Sequence, residues 1–237
     1  GSFTASSGYV WYKPYVTDAL TVELRAGNLG RSVKIFGTTV LDGGTANSLA
    51  AGFTMKSGDL SDVLWIFVDP AGSPNYVEVD LKNSLTFGAI KVETLVNNIV
   101  TNMGSTPPAA QLGLTVSVDA GKLLNLEAAS LTIGGGLGGT FPGNPLQTWV
   151  IGASFGIDKF SGMVTFTNPS SLYAELSTTL FAPVDAGVYF STDATDPFNT
   201  LSLGVWASWK LGVLTNTISI DYASPEVEAK WEVSASF

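Results

Sequence analysis

Glu226-Val227-Glu228-Ala229-Lys230-Trp231-Glu232-Val233-Ser234-Ala235-Ser236-Phe237 is the stretch that decides the fold. Its odd positions are Val, Ala, Trp, Val, Ala and Phe; its even positions are Glu, Glu, Lys, Glu, Ser and Ser. Side chains of a strand alternate between two faces, so these residues make one apolar face and one charged face. The alternation runs over twice the ~5–6 residues of a typical strand. A strand that crosses a membrane needs ~9–11 tilted residues, apolar towards lipid and polar towards the lumen. This stretch meets both conditions.

The same two-faced pattern recurs upstream. Leu20, Val22, Leu24 and Ala26 oppose Thr21, Glu23 and Arg25. Val77, Val79 and Leu81 oppose Tyr76, Glu78, Asp80 and Lys82, and Leu201 through Leu211 alternates with Ser202, Gly204, Trp206, Ser208 and Lys210. In all, the 237 residues predict 12–16 strands in one domain, 1–237. The expected fold is all-β: a closed antiparallel transmembrane β-barrel. Tight turns are expected at Asn83-Ser84, Ala120-Gly121, Asp158-Lys159 and Pro183-Val184-Asp185. Longer Gly/Pro/Asp-rich connections fall at 69–74, 134–145 and 193–199, the last two including the run Gly134-Gly135-Gly136-Leu137-Gly138-Gly139 and the Asp193/Asp196 loop. Gly27–Gly30 and Asp42-Gly43-Gly44 also read as loops.

One segment changes period. Val92, Leu95, Val96, Ile99, Val100 and Met103 recur at helical spacing, Gly104 follows, and Pro107-Pro108 stop it. A short helix over about 92–103 is therefore expected, in a loop or in the lumen, where it would narrow the channel. The alternative is two strands with a polar turn at Asn97-Asn98.

Composition agrees with dispersed apolarity. Charged residues make up 13% of the chain, about half the ~25% usual in soluble domains. Mean hydropathy is +0.29, yet no window approaches the ~18–20 apolar residues of a helical span. The other fold of this pattern is a soluble β-sandwich with a large core. The chain has no Cys and no His. Disulfides, Cys-His and Ser-His-Asp nucleophilic machinery, and histidine-ligated zinc cannot be built from it. No motif calls for a cofactor or a metal, and an enzyme is not expected. The net charge of −9 offers no basic surface for nucleic acid, and in a pore it favours cations.

The closing strand, with Trp231, Val233, Ala235 and Phe237 at alternate positions, resembles the C-terminal strand of bacterial outer-membrane β-barrels, in which such hydrophobes end in a terminal Phe read by the barrel-assembly machinery. Tyr9-Val10-Trp11-Tyr12-Lys13-Pro14, followed by Asp18 and the alternating strand from Leu20, is similar to hairpins of spirochaete-type outer-membrane porins. The resemblance implies a closed barrel in the bacterial outer membrane, exported with a removable signal, and passive transport of small solutes. The partners it implies are the lipid bilayer, the assembly machinery and a possible homo-oligomer. The expected function is thus a porin for small hydrophilic solutes that favours cations. The alternative is a structural envelope or surface-array barrel without significant transport. The expected pore-lining residues are Glu23, Arg25, Glu78, Asp80, Lys82, Glu93, Glu175, Lys210, Glu226, Glu228, Lys230 and Glu232.

Overall fold

The structure is a computed structural model that describes residues 8–69, 78–101, 109–141, 143–223 and 225–235. The fold is all-β, with fifteen strands among the described residues that follow one another in the sheet in their order along the chain. They are β1 (Gly8–Val16), β2 (Leu20–Ile35), β3 (Thr38–Ser57), β4 (Leu60–Asp69), β5 (Glu78–Phe87), β6 (Ile90–Thr101), β7 (Ala110–Asp119), β8 (Ala129–Phe141), β9 (Thr148–Ile157), β10 (Phe160–Thr167), β11 (Ser171–Phe181), β12 (Val184–Asp193), β13 (Ser202–Leu211), β14 (Leu214–Ala223) and β15 (Glu226–Ala235). The strands fall into two compact units. The first holds residues 1–118 and 134–149; the second holds 119–133 and 150–237.

Each paired strand is antiparallel to its neighbour, and register aligns like with like. In the first unit a single cross-strand row runs Tyr12, Leu24, Ala51, Ile66, Leu81, Val96, Leu112 over β1–β7. The row one residue away on the opposite face runs Glu23, Gly52, Trp65, Lys82, Leu95, Gly113. In the second unit an apolar row runs Phe155, Gly162, Leu176, Val188, Val205, Ile220, Ala229. Its polar counterpart runs Ser154, Met163, Glu175, Tyr189, Gly204, Asp221, Glu228. A slip of one residue would exchange the two faces of a strand, so the alternation in the sequence fixes this register.

Hairpin ends are tight where a residue with positive φ leads the turn: Gly58, Gly88, Asp158 and Gly212 have φ of 57°, 56°, 52° and 62°. This is the backbone that two-residue hairpin turns require. The expected turn at Asn83-Ser84 is not there. Both residues lie inside β5, and the chain reverses at Gly88-Ala89. Asn83 sits on the apolar face and donates to Asp62 Oδ1 at 2.5 Å, which explains why a polar pair occurs within a strand. At Ala120-Gly121 the chain makes a four-residue helix, α1 (Ala120–Leu123), whose Lys122 N–H is capped by Asp119 Oδ1 at 2.9 Å. Pro14 falls between Tyr12 and Tyr15, where the β1–β2 register shifts, an irregularity that tolerates a residue without an N–H.

The largest departure from expectation concerns residues 92–103. Residues 92–101 form no helix: Ile90–Thr101 is β6, paired with β5 and β7. Met103 lies outside the described residues. The apparent helical period arose because Leu95, on the polar face, is apolar and fully buried. A bulge follows it, since Leu81 pairs with Val96 while Val79 pairs with Val100. Asn98, with φ of 58°, gives its N–H to Asp80 Oδ1 at 2.9 Å within that bulge.

What covers Leu95 is the tip of the β2–β3 hairpin. Strands of 16 and 20 residues make this hairpin longer than its neighbours. It runs straight through Gly27–Gly30 and Asp42–Gly44, both expected as loops, and turns at Phe36-Gly37 with φ of 49° and 74°. Val33 and Leu41 of the tip form a buried cluster with Leu95. The glycine run at 134–139, also expected as a loop, is strand β8 beneath the same tip. A Cβ on Gly134 would meet Ile35 Cδ1 at 2.8 Å, one on Gly136 would meet Val40 Cγ2 at 2.8 Å, and one on Gly138 would collide with the Val40 carbonyl. Gly113 would likewise strike Leu41 Cβ at 2.6 Å. Glycine at alternate positions leaves a side-chain-free track, and the tip lies on it as a strap.

Candidate functional site

The candidate site is the polar face of the sheet. All twelve charged residues expected to line a pore lie on the polar face of their own unit, where their register partners range from Ser, Thr and Gly to Trp65, Phe67 and Leu95. In the first unit these are Glu23, Arg25, Glu78, Asp80, Lys82 and Glu93. In the second they are Glu175, Lys210, Glu226, Glu228, Lys230 and Glu232. On β15, Trp231, Val233 and Ala235 lie on the other face, exposed beside Ile218, Asn216 and Leu214; Phe237 lies outside the described residues.

The structure sorts these charges into distinct environments. Beneath the strap, Arg31 is buried and faces three carboxylates: Asp80 Oδ2 at 2.6 Å, Asp69 Oδ2 at 3.4 Å and Glu78 Oε1 at 3.5 Å. Asp80 is fully buried. A buried ion pair is costly to desolvate, and its value depends on geometry and on further hydrogen bonds. Asp80 has both, because it also receives the Asn98 N–H. Arg31 therefore pins the strap to the floor of the sheet. Lys82 Nζ adds a second tie, donating to the Ser32 carbonyl at 2.8 Å. Two of the expected pore residues, Asp80 and Lys82, thus act first as anchors for the strap.

Beside the strap is an open cluster. Arg25 Nε donates to Glu23 Oε1 at 2.6 Å, and Lys13 reaches Glu23 Oε2 at 3.7 Å. The Arg25 guanidinium lies 4.2 Å from the centroid of Trp65 and 4.6 Å from that of Tyr9. Trp65 lies over Gly52, where a Cβ would come within 2.5 Å of the indole. The missing side chain lets the ring lie flat against the sheet and present itself to Arg25. Lys91 pairs with Glu93 at 3.2 Å.

The second unit repeats the device with acids. Glu175 accepts from Tyr173 Oη at 2.7 Å and from Trp206 Nε1 at 3.1 Å, and Asp221 accepts from Tyr189 Oη at 2.5 Å and Ser219 Oγ at 3.3 Å. Trp206 lies over Gly187 and Tyr189 over Gly204, each where a Cβ would clash with the ring. Aromatic rings over glycines on a neighbouring strand are a known way to hold a sheet's register. Glu228 pairs with Lys230 at 3.0 Å. Around Arg25 cations are in excess; on β11–β15 the acids Glu175, Asp185, Asp221, Glu226, Glu228 and Glu232 outnumber Lys210 and Lys230.

Sequence reasoning passed over Arg31, Asp69, Trp65, Tyr189, Trp206 and Asp221. Trp206 and Asp221 share the parity of the polar residues on their strands, a signal available from alternation alone. Arg31 carried no local signal, because it sits in a tip whose partners lie 38–49 positions away. Exposed large hydrophobics cover the opposite face, with Val188, Val205 and Ile220 each about half exposed. No protein-family model matches the chain, and no characterised protein matches it in sequence.

Proposed function

We propose that the sheet closes into a transmembrane barrel in a bacterial outer membrane and acts as a porin for small hydrophilic solutes, favouring cations overall. One observation carries this reading: unbroken apolar rows on one face, six or seven strands wide, back onto charged rows on the other. A soluble protein rarely exposes a contiguous apolar patch above a few hundred Å². Lipid tolerates such a face, and most strands here run ten residues or more, matching the ~25 Å apolar band of such barrels. With about fifteen strands the interior exceeds what side chains fill, which happens near eight, so the polar face borders water. The acid-rich rows of β11–β15 favour cations. The strap on the polar face of the first unit replaces 92–103 as the element that narrows the lumen.

Hairpin reversals through fifteen strands bring β1 and β15 to the two ends of the strand order running the same way, so closure of β1 on β15 makes a single parallel seam. Both strands are exposed along their whole described length, as unpaired edges would be. In this reading Trp231, Val233 and Ala235 contact lipid and serve as the assembly signal. Planar-bilayer recording on refolded protein tests the function. Steady cation-selective conductance is expected, and it should rise when residues 31–42 are replaced by a two-residue turn. Absence of current in both proteins, with ordered arrays in membranes, would instead establish the structural-barrel alternative.

A further inference from the structure

We infer that the open cluster beside the strap is a binding subsite for a small organic anion with an apolar body, a carboxylate-bearing solute. A cavity of about 280 Å³ lies on the polar face of the first unit, lined by Tyr9, Arg25, Leu29, Trp65, Lys82 and Glu93. This is at the small end of the ~300–1,000 Å³ of ligand pockets, a size for one small molecule. Its walls combine two kinds of group. Leu29 is buried at the base of the strap, and with Phe67 and Trp65 it forms one apolar cluster. The cations of the lining are Arg25, whose guanidinium lies against Trp65, and Lys82.

Charge decides the ligand class. The chain carries a net −9, yet of the charged residues that line this cavity two are cations, Arg25 and Lys82, against one acid, Glu93. Glu93 is already engaged by Lys91, and Glu23, which holds Arg25, is also reached by Lys13. The local excess is positive, so an anionic head is attracted and a cation is repelled. Arg25 is held between Tyr9 and Trp65, which fixes its orientation before any ligand arrives, and such preorganisation lowers the cost of binding. Because Leu29 and Gly30, which lead into the strap, line the cavity, an occupant lies beside the element that narrows the lumen. The subsite deepens the porin reading but does not depend on conductance, since binding needs only the folded first unit in the intact chain.

Equilibrium dialysis of refolded full-length protein in detergent with radiolabelled benzoate tests it. One saturable site per chain is expected. Arg25→Gln and Lys82→Gln should each weaken it at least fivefold, and Lys159→Gln, in the β9–β10 turn, should leave it unchanged. Acetate, which lacks the apolar body, and benzyl alcohol, which lacks the charge, should each compete at least fivefold less well than benzoate. Heat-modifiable gel migration shows which variants fold; if Arg25→Gln does not, Lys82→Gln and the competition series decide. Non-saturable uptake, equal competition by benzyl alcohol, or unchanged affinity in folded Lys82→Gln would overturn the subsite. Binding without conductance would sink the porin and keep the subsite; conductance without binding would do the reverse.

Discussion

Placing arginine at Val205 separates the membrane reading from a soluble sheet. Val205 is 48% exposed and lies in the third of six rows on the apolar face of the second unit. On one side are the rows through Leu203 and through Leu172; on the other are those through Ala207, Trp209 and Leu211. Successive rows are two residues apart, ~6.6 Å along a strand. With strands tilted ~40°, the six rows span roughly 25 Å, the height of the apolar band of such barrels, and Val205 lies about 3 Å from its middle. Arginine at the midplane of such a barrel costs ~2–4 kcal/mol and near an interface ~0–1 kcal/mol. On a water-exposed sheet the same change stays within ~0.5 kcal/mol. Val205→Arg is therefore expected to lower the folding constant by roughly 30- to 700-fold, and Ile151→Arg, in the outermost row, by far less. Reversible denaturant titration into lipid vesicles, followed by tryptophan emission, reads both. Equal and small effects at the two positions would refute the lipid-facing assignment.

Other perturbations test the strap and the polar face. Arg31→Leu leaves the fully buried Asp80 without its cation and should cost ~3–5 kcal/mol; Arg31→Leu with Asp80→Leu should recover much of it, both read by denaturant titration. Gly138→Val puts a side chain into the Val40 carbonyl, which should cost ~1–3 kcal/mol and release the tip, seen as faster tryptic cleavage after exposed Lys34. Gly52→Val should push the Trp65 indole off the sheet and away from Arg25, losing ~0.5–2 kcal/mol of cation–π attraction and shifting tryptophan emission.

Period-2 alternation made most of the sheet legible. It placed β11, β13 and β15 and the first parts of β2 and β5, and within each unit put the expected charged residues on one face, because facing is a local property of a strand. The errors at Gly27–Gly30, Asp42–Gly44, 92–103 and 134–139 share one cause. Glycine normally marks loops, since its backbone loses the most freedom on ordering, and an apolar residue such as Leu95 on a polar face breaks the strand period. Both rules assume that the polar face meets water. Where the strap lies on it, the face instead needs apolar contacts at Leu95 and bare backbone at Gly113, Gly134, Gly136 and Gly138. The four misread segments are thus the tip and its floor, two halves of one contact between residues far apart in the chain. Broken alternation that falls in both a long hairpin and a glycine-rich strand therefore carries information of its own. It marks where a sheet of this kind folds part of itself back onto its polar face, and here that place borders the cationic cluster around Arg25.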